Sequence, residues 1–182
     1  MARKQSVGSY LQGLETMRRR ELEWGSVVRE APGPTYRHQS VLTQLTVLLD
    51  RHVRAFGLGR VVVSPIDVIL DEPRALVVQP DLVFIAEARR AIVQDQVWGP
   101  PDLAVEVLSP RTLSRDRIKK LDWYRRYAVQ EYWIVNPGAS TVEVYALQAV
   151  AHGGPYLYRS GDILHSTVMP DLKLPVAEIF AE

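Results

Sequence analysis

Three acids stand where the surrounding residues are apolar. Glu106 lies in the middle of Leu103-Ala104-Val105-Glu106-Val107-Leu108, a run apolar on both faces and therefore expected as a central strand. Alternation sets Val105 and Val107 on one face, and Ala104 and Leu108 on the face of Glu106. A carboxylate buried there costs several kcal/mol unless it is paired, protonated or bound to a metal. Asp81 poses the same problem in Val77-Val78-Gln79-Pro80-Asp81-Leu82-Val83-Phe84-Ile85. Pro80 cannot donate to a ladder, so Asp81 is expected at an opening in the pairing. Asp67, inside Ser64-Pro65-Ile66-Asp67-Val68-Ile69-Leu70, is the third. One such acid reads as a sheet-edge residue facing water. Several on neighbouring strands suggest convergence on an oxygen-rich site suited to Mg²⁺, which takes one or two carboxylates plus water and a substrate phosphate.

Lys120 is the candidate partner. The strand from Glu106 to Pro110 covers about 13 Å, and a helix from Ser114 returns about 9 Å by Lys120. Antiparallel packing thus brings a long amine back towards Glu106. On that helix Ile118, Leu121, Tyr124 and Ala128 form the expected buried stripe, with Lys120 just beyond its Tyr124 edge and Lys119 towards solvent. The competing reading is a surface Lys120 paired with Asp116.

Other chemistries fit less well. The four histidines show no metal-ligand spacing, and Ser109 lacks the flanking glycines of a nucleophile elbow. The glycines form no phosphate loop. A two-carboxylate glycosidase suits strand-borne acids and a lysine poorly. With no cysteine among 182 residues, disulfide scaffolds, thiolate zinc sites and cysteine nucleophiles are excluded. The composition, 47% hydrophobic and 24% charged, is that of a globular chain. Apolar runs such as Leu82-Val83-Phe84-Ile85-Ala86 fall far short of the roughly 18 residues of a membrane span. With no apolar signal core at the N-terminus, the expectation is a cytoplasmic protein.

The elements that must position these residues follow from periodicity. Residues 1–20 suggest a short helix ending in Arg18-Arg19-Arg20, and 23–30 a turn and short strand broken at Ala31-Pro32-Gly33-Pro34. Thr35 is a good N-cap, and Val41, Leu42, Leu45, Leu48, Leu49, Val53 and Phe56 mark a long amphipathic helix stopped by Gly57, with His38 and His52 on its stripe. Runs 60–70 and 76–85 suggest a hairpin. The Glu106 strand, a helix to about Ala128 and Glu131-Tyr132-Trp133-Ile134-Val135 form a right-handed crossover with parallel pairing. Short β segments close the chain. The fold class is α+β or mixed α/β in a single domain.

Taken together, Tyr36-Arg37-His38-Gln39, Gln79-Pro80-Asp81-Leu82, Pro101-Asp102-Leu103-Ala104-Val105-Glu106-Val107-Leu108-Ser109-Pro110, Arg115-Asp116 with Lys120 and Tyr124, and Glu131-Tyr132-Trp133-Ile134-Val135 resemble the Uma-type restriction endonucleases of the PD-(D/E)XK nuclease superfamily. The resemblance spans about residues 22–145. It implies a restriction-endonuclease-like core at 22–136, a mixed central sheet flanked by helices. An N-terminal helical extension (1–21) would precede it and a C-terminal β-meander (137–182) follow. It further implies that Asp81 and Glu106 are metal ligands, with Asp67, His38 and Tyr124 as secondary members of the site. The usual superfamily lysine lies two residues after the second acid, where this chain has Leu108, and the resemblance moves that role to Lys120. His38 has the alternative of a satisfied core histidine.

The function expected is a Mg²⁺- or Mn²⁺-dependent endonuclease acting on DNA. Between Arg111 and Arg126 the local charge is +5, able to meet a phosphate backbone although the chain totals only +1. That run also reads as an ordinary solvated helix face. The alternative function is a dimeric nucleic-acid-binding or protein-interaction module with a weakened site. A homodimer is expected from the apolar C-terminal strands.

Overall fold

The computed structural model describes residues 4–13, 20–29, 33–109, 115–148 and 154–181. Arg18, Arg19, Ala31, Pro32, Pro110, Arg111 and Ser114 lie outside them, and with them the proposed basic run, the break and the second helix cap. The chain opens with helix α1 (Val7–Leu11), capped by Ser6, and the hairpin β1 (Arg20–Glu23) and β2 (Ser26–Arg29). Its turn, Trp24-Gly25, has φ of 51° and 84°, the left-handed pair a two-residue hairpin favours. Among the described residues of the expected helical extension there is one short helix, and Arg20 already belongs to a strand.

Helix α2 (Tyr36–Ala55) begins where Thr35 accepts the His38 N–H at 3.2 Å. Val41, Leu42, Leu45, Leu49 and Val53 are buried as their spacing predicts. Phe56 departs from that stripe: it sits past the last helical turn and is 61% exposed.

Four strands, β3 (Gly59–Val63), β4 (Val68–Asp71), β5 (Leu76–Val78) and β6 (Leu82–Ala86), occupy the expected hairpin. The hairpin is divided between two sheets, because each arm breaks at its proline, Pro65 or Pro80. β3 pairs with β6, and β4 with β5. A 3-10 helix (Glu87–Ile92) leads to β7 (Val97–Trp98) and β8 (Leu103–Val107). Helix α3 (Arg115–Arg126) then crosses to β9 (Glu131–Asn136), which pairs in parallel with β8 as the crossover requires. β10 (Thr141–Ala146) and β11 (Tyr156–Arg159) extend the sheet antiparallel. The C-terminal part is not a pure meander, since β12 (Ile163–Leu164) pairs with β13 (Leu174–Pro175) and a short helix α4 (Val176–Ile179) follows.

The main sheet runs β11-β10-β9-β8-β6-β3, and the second runs β2-β1-β5-β4-β7. Three apolar layers cover their faces, and the middle one joins the two sheets. Leu82, Phe84, Val105 and Val107 pack on α2 and the C-terminal residues Leu164, Met169 and Val176. Val83, Ile85 and Ala104 face the other way, against Trp123 and Tyr124 of α3 and Val68 and Val78 of the second sheet. Leu22, Ile69 and Val77 cover α1 on the far side of that sheet. Glu131, wholly buried, ties the C-terminal residues down by accepting from Trp133 Nε1, Ser166 Oγ and the Thr167 N–H and hydroxyl at 2.5–2.8 Å. Among the described residues no helix is long and apolar enough to cross a membrane.

Candidate active site

Glu106 takes the face of β8 that meets α3, as the alternation of Ala104 and Leu108 into that layer requires. It is 8% exposed. Its Oε1 accepts from Lys120 Nζ at 2.9 Å and from the Tyr124 hydroxyl at 3.2 Å. Burial, and then the charge of Glu106, push the Tyr124 hydroxyl well above the ordinary tyrosine pKa, so it remains a donor.

Lys120 is more deeply placed than its position beyond the stripe suggests, at 1% exposure. The helix turns the set Lys120, Trp123 and Tyr124 inward, at i, i+3 and i+4. Ala128 is not part of that face: α3 ends at Arg126 and Ala128 adopts a positive φ of 61° in the turn. Lys120 is thus buried between two carboxylates and not at the surface, since its Nζ also lies 3.0 Å from Glu21 Oε1, while the Asp116 side chain lies outside the described ones. Lys119 is not merely solvated; it meets Glu23 at 2.8 Å with its side chain 40% exposed. Arg125 and Arg126 are exposed, as a basic helix face would have them.

Asp81 follows Pro80 at the start of β6. The β6–β8 register pairs Leu82 with Val105, and one further step sets Asp81 opposite Glu106. Where a strand carbonyl would have received the Val107 N–H, the Asp81 carboxylate does so, at 2.7 Å, through Oδ2. The same oxygen lies 3.4 Å from Nε2 of His38, which reaches in from the first turn of α2, only 5% exposed. His38 thus bridges the α2 layer to Asp81, and Nδ1 of its ring faces Gln39 Oε1 at 3.0 Å.

Asp67 belongs to the second sheet's side. Its Oδ1 accepts from Gln79 Nε2 at 2.9 Å and from the Tyr10 hydroxyl at 3.1 Å. Burial, and then the Asp67 charge, raise the Tyr10 pKa. The connection to the other acids runs through Gln79, whose N–H donates to Glu21 Oε1 at 2.8 Å. Five predicted residues are therefore gathered in two groups, Glu106 with Lys120 and Tyr124, and Asp81 with His38. The sixth stands behind a glutamine.

Glu21 and the Gln79 side chain are the two residues that sequence reasoning passes over. Glu21 alternates with the buried Leu22 in β1 and so looks solvent-facing, until α3 covers that face. Gln79 is visible only as the residue before Pro80-Asp81. A hard cation takes one or two carboxylate oxygens beside water and phosphate, and Asp81 and Glu106 are the acids opposed in register across β6 and β8. Among the described residues no group of three or more His, Cys, Asp or Glu is placed to hold a metal ion.

The search of curated proteins found no match. The fold is similar to a crystal structure of a "putative nuclease belonging to DUF820" from Anabaena variabilis, with a TM-score of 0.80 at 17% identity over 96% of this chain and 97% of that one. That identity speaks for the fold alone, a mixed α+β nuclease-like architecture. The model of the Uma2 family, described as "Putative restriction endonuclease", matches residues 9–177, nearly the full length, and the chain belongs to that family.

Proposed function

We propose that the protein is a metal-dependent endonuclease hydrolysing phosphodiester bonds of DNA, with Asp81 and Glu106 holding Mg²⁺ or Mn²⁺. The observation that carries this is the buried ammonium of Lys120, 2.9 Å from Glu106, beside a second acid opposed in register. Glu21 and Glu106 both meet the Lys120 ammonium, and Asp81 meets His38, so three carboxylates stand against one lysine and one histidine in these two sets. A site with that acid excess favours a cation. When bound, the cation would polarise the scissile phosphate and lower the pKa of an attacking water.

The chain's own residues have separate tasks. Asp81 and Glu106 supply oxygen donors, and the Val107 N–H holds the Asp81 carboxylate in place. Lys120 orients the attacking water or stabilises negative charge developing on the phosphate. Tyr124 and His38 each steady one acid, through Glu106 Oε1 and Asp81 Oδ2. Asp67 acts at a distance, by fixing Gln79. Exposed Arg125 and Arg126 supply contacts for a phosphate backbone.

A dimeric binding module with a weak site is the second reading, and the open β11 edge favours it. Tyr156 and Leu157 stand 68% and 42% exposed there, on a strand that could pair with a second copy. The test is incubation with supercoiled DNA, linear DNA and RNA, with Mg²⁺, Mn²⁺ or chelator. Metal-dependent nicking that disappears in Asp81→Asn supports the enzyme. Binding without cleavage at any metal concentration supports the module. Cleavage untouched by the substitution sinks the assignment.

A further inference from the structure

Helix α3 is fastened to the N-terminal hairpin at the level of Lys120. Glu21 and Glu23 are two residues apart on β1 and share the face opposite the buried Leu22. Consecutive lysines of α3 meet them in turn: Lys120 Nζ lies 3.0 Å from Glu21 Oε1, and Lys119 Nζ lies 2.8 Å from Glu23 Oε2. Beside these pairs Trp24, in the hairpin turn, packs edge to face on Trp123 at 6.0 Å, and Lys119 lies over the Trp123 ring. The two ion pairs differ in one respect. Glu23 and Lys119 are partly open to water, whereas Glu21 is 4% exposed and Lys120 1%.

We propose that Glu21 is a positioning residue of the nuclease site, setting the Lys120 ammonium against Glu106. The inference rests on the nuclease reading of Asp81, Glu106 and Lys120. A lysine ammonium is a compact charge on a four-carbon stem, and a single carboxylate fixes its distance without fixing its direction. Two carboxylates from different strands, β1 and β8, fix both. Glu106 has a further duty towards the cation, and Glu21 keeps the ammonium in place while Glu106 serves it. Glu21 is itself anchored: its Oε1 receives the N–H of Gln79, two residues before Asp81. The amine and the metal-binding acid are thereby referenced to one stretch of backbone, Gln79-Pro80-Asp81. The hairpin is then part of the site and not an appendage to it.

The experiment uses the full chain as wild type, Glu21→Gln, Glu21→Asp and Glu23→Gln. Each is assayed for kcat and KM on DNA with Mg²⁺, for melting temperature, and for acetic anhydride labelling of Lys119 and Lys120, read by peptide mass spectrometry. Glu21→Gln is expected to lower kcat by about 10- to 100-fold, the scale of a misplaced catalytic group, with little change in KM. It should expose Lys120 to labelling. Glu21→Asp, which keeps the charge on a shorter arm, should recover part of kcat. Glu23→Gln should raise labelling of Lys119 alone and leave kcat as in wild type. A folded Glu21→Gln with wild-type kcat overturns the proposal, as does unchanged Lys120 labelling. If Glu21→Gln does not fold, Glu21→Asp decides: reduced kcat at an unchanged melting temperature supports the role, and full turnover overturns it. Should the wild-type chain cleave nothing, the nuclease reading has failed, and the labelling alone then supports or overturns the hold of Glu21 on Lys120.

Discussion

Lys120 Nζ and Glu106 Oε1 stand 2.9 Å apart in the interior, fourteen positions distant along the chain. The β8–α3–β9 crossover accounts for the meeting: the helix runs back over the sheet and delivers the amine beside the strand it left. Leu108, two residues beyond Glu106 on the same face, fills the apolar layer under α3 instead.

The first consequence is for stability. Lys120→Met leaves Glu21 and Glu106 buried without their shared ammonium, and should lower unfolding free energy by about 3–5 kcal/mol. Lys119→Met, which removes a partly exposed pair, should change it by no more than about 1 kcal/mol. Urea unfolding of the two variants measures the contrast. Equal losses would mean that Lys120 is not held as described.

Metal binding should be visible without turnover. A ligand that binds only the folded state raises its melting temperature by mass action. Mg²⁺ or Mn²⁺ should therefore raise the melting temperature of the wild type and not that of Asp81→Asn or Glu106→Gln, and chelator should reverse the shift. In cleavage assays the same two substitutions should reduce kcat by about 100-fold or more.

Asp67 should behave differently. It is bound to Gln79 and Tyr10 and reaches the other acids only through Gln79. Asp67→Asn should cost about 1–2 kcal/mol of stability and retain the metal-induced rise in melting temperature. Loss of that rise in a folded Asp67→Asn protein would move Asp67 into the metal-binding set.

Alkaline pH should loosen the α1 layer. Burial, then the Asp67 carboxylate, raise the Tyr10 pKa above the ordinary 10.0, so the folded state holds that proton more tightly than the unfolded chain. The resulting stability is complete below about pH 10 and is lost as pH rises from there towards the raised value. Urea unfolding at a series of pH values from 9 upward should show the decline, and Tyr10→Phe should make it shallower. At neutral pH the same variant should be less stable by about 1–2 kcal/mol, because Arg20 O and Asp67 lose a donor.

Local pattern and tertiary arrangement divide what could be foreseen. Helix α2 is legible because its apolar spacing and the Thr35 cap agree, and β8 because its run is apolar on both faces. The approach of Lys120 to Glu106 follows from rise per residue and a right-handed crossover, both local quantities. The split of the 60–85 hairpin is not legible in the same way. Pro65 and Pro80 announce breaks, but not that the strands beyond them change sheets. Glu21 is hidden for a related reason. An acid alternating with leucine on a short strand reads as a solvent face, and only the docking of α3 reverses that reading. On α3 itself the buried face includes a lysine, which hydrophobic periodicity does not count.

The hairpin's partners lie far downstream: Leu22 pairs with Val77, and Glu21 meets Lys120. During synthesis β1 must wait until α3 has left the ribosome before its acidic side chains are matched. Such long-range closure slows folding.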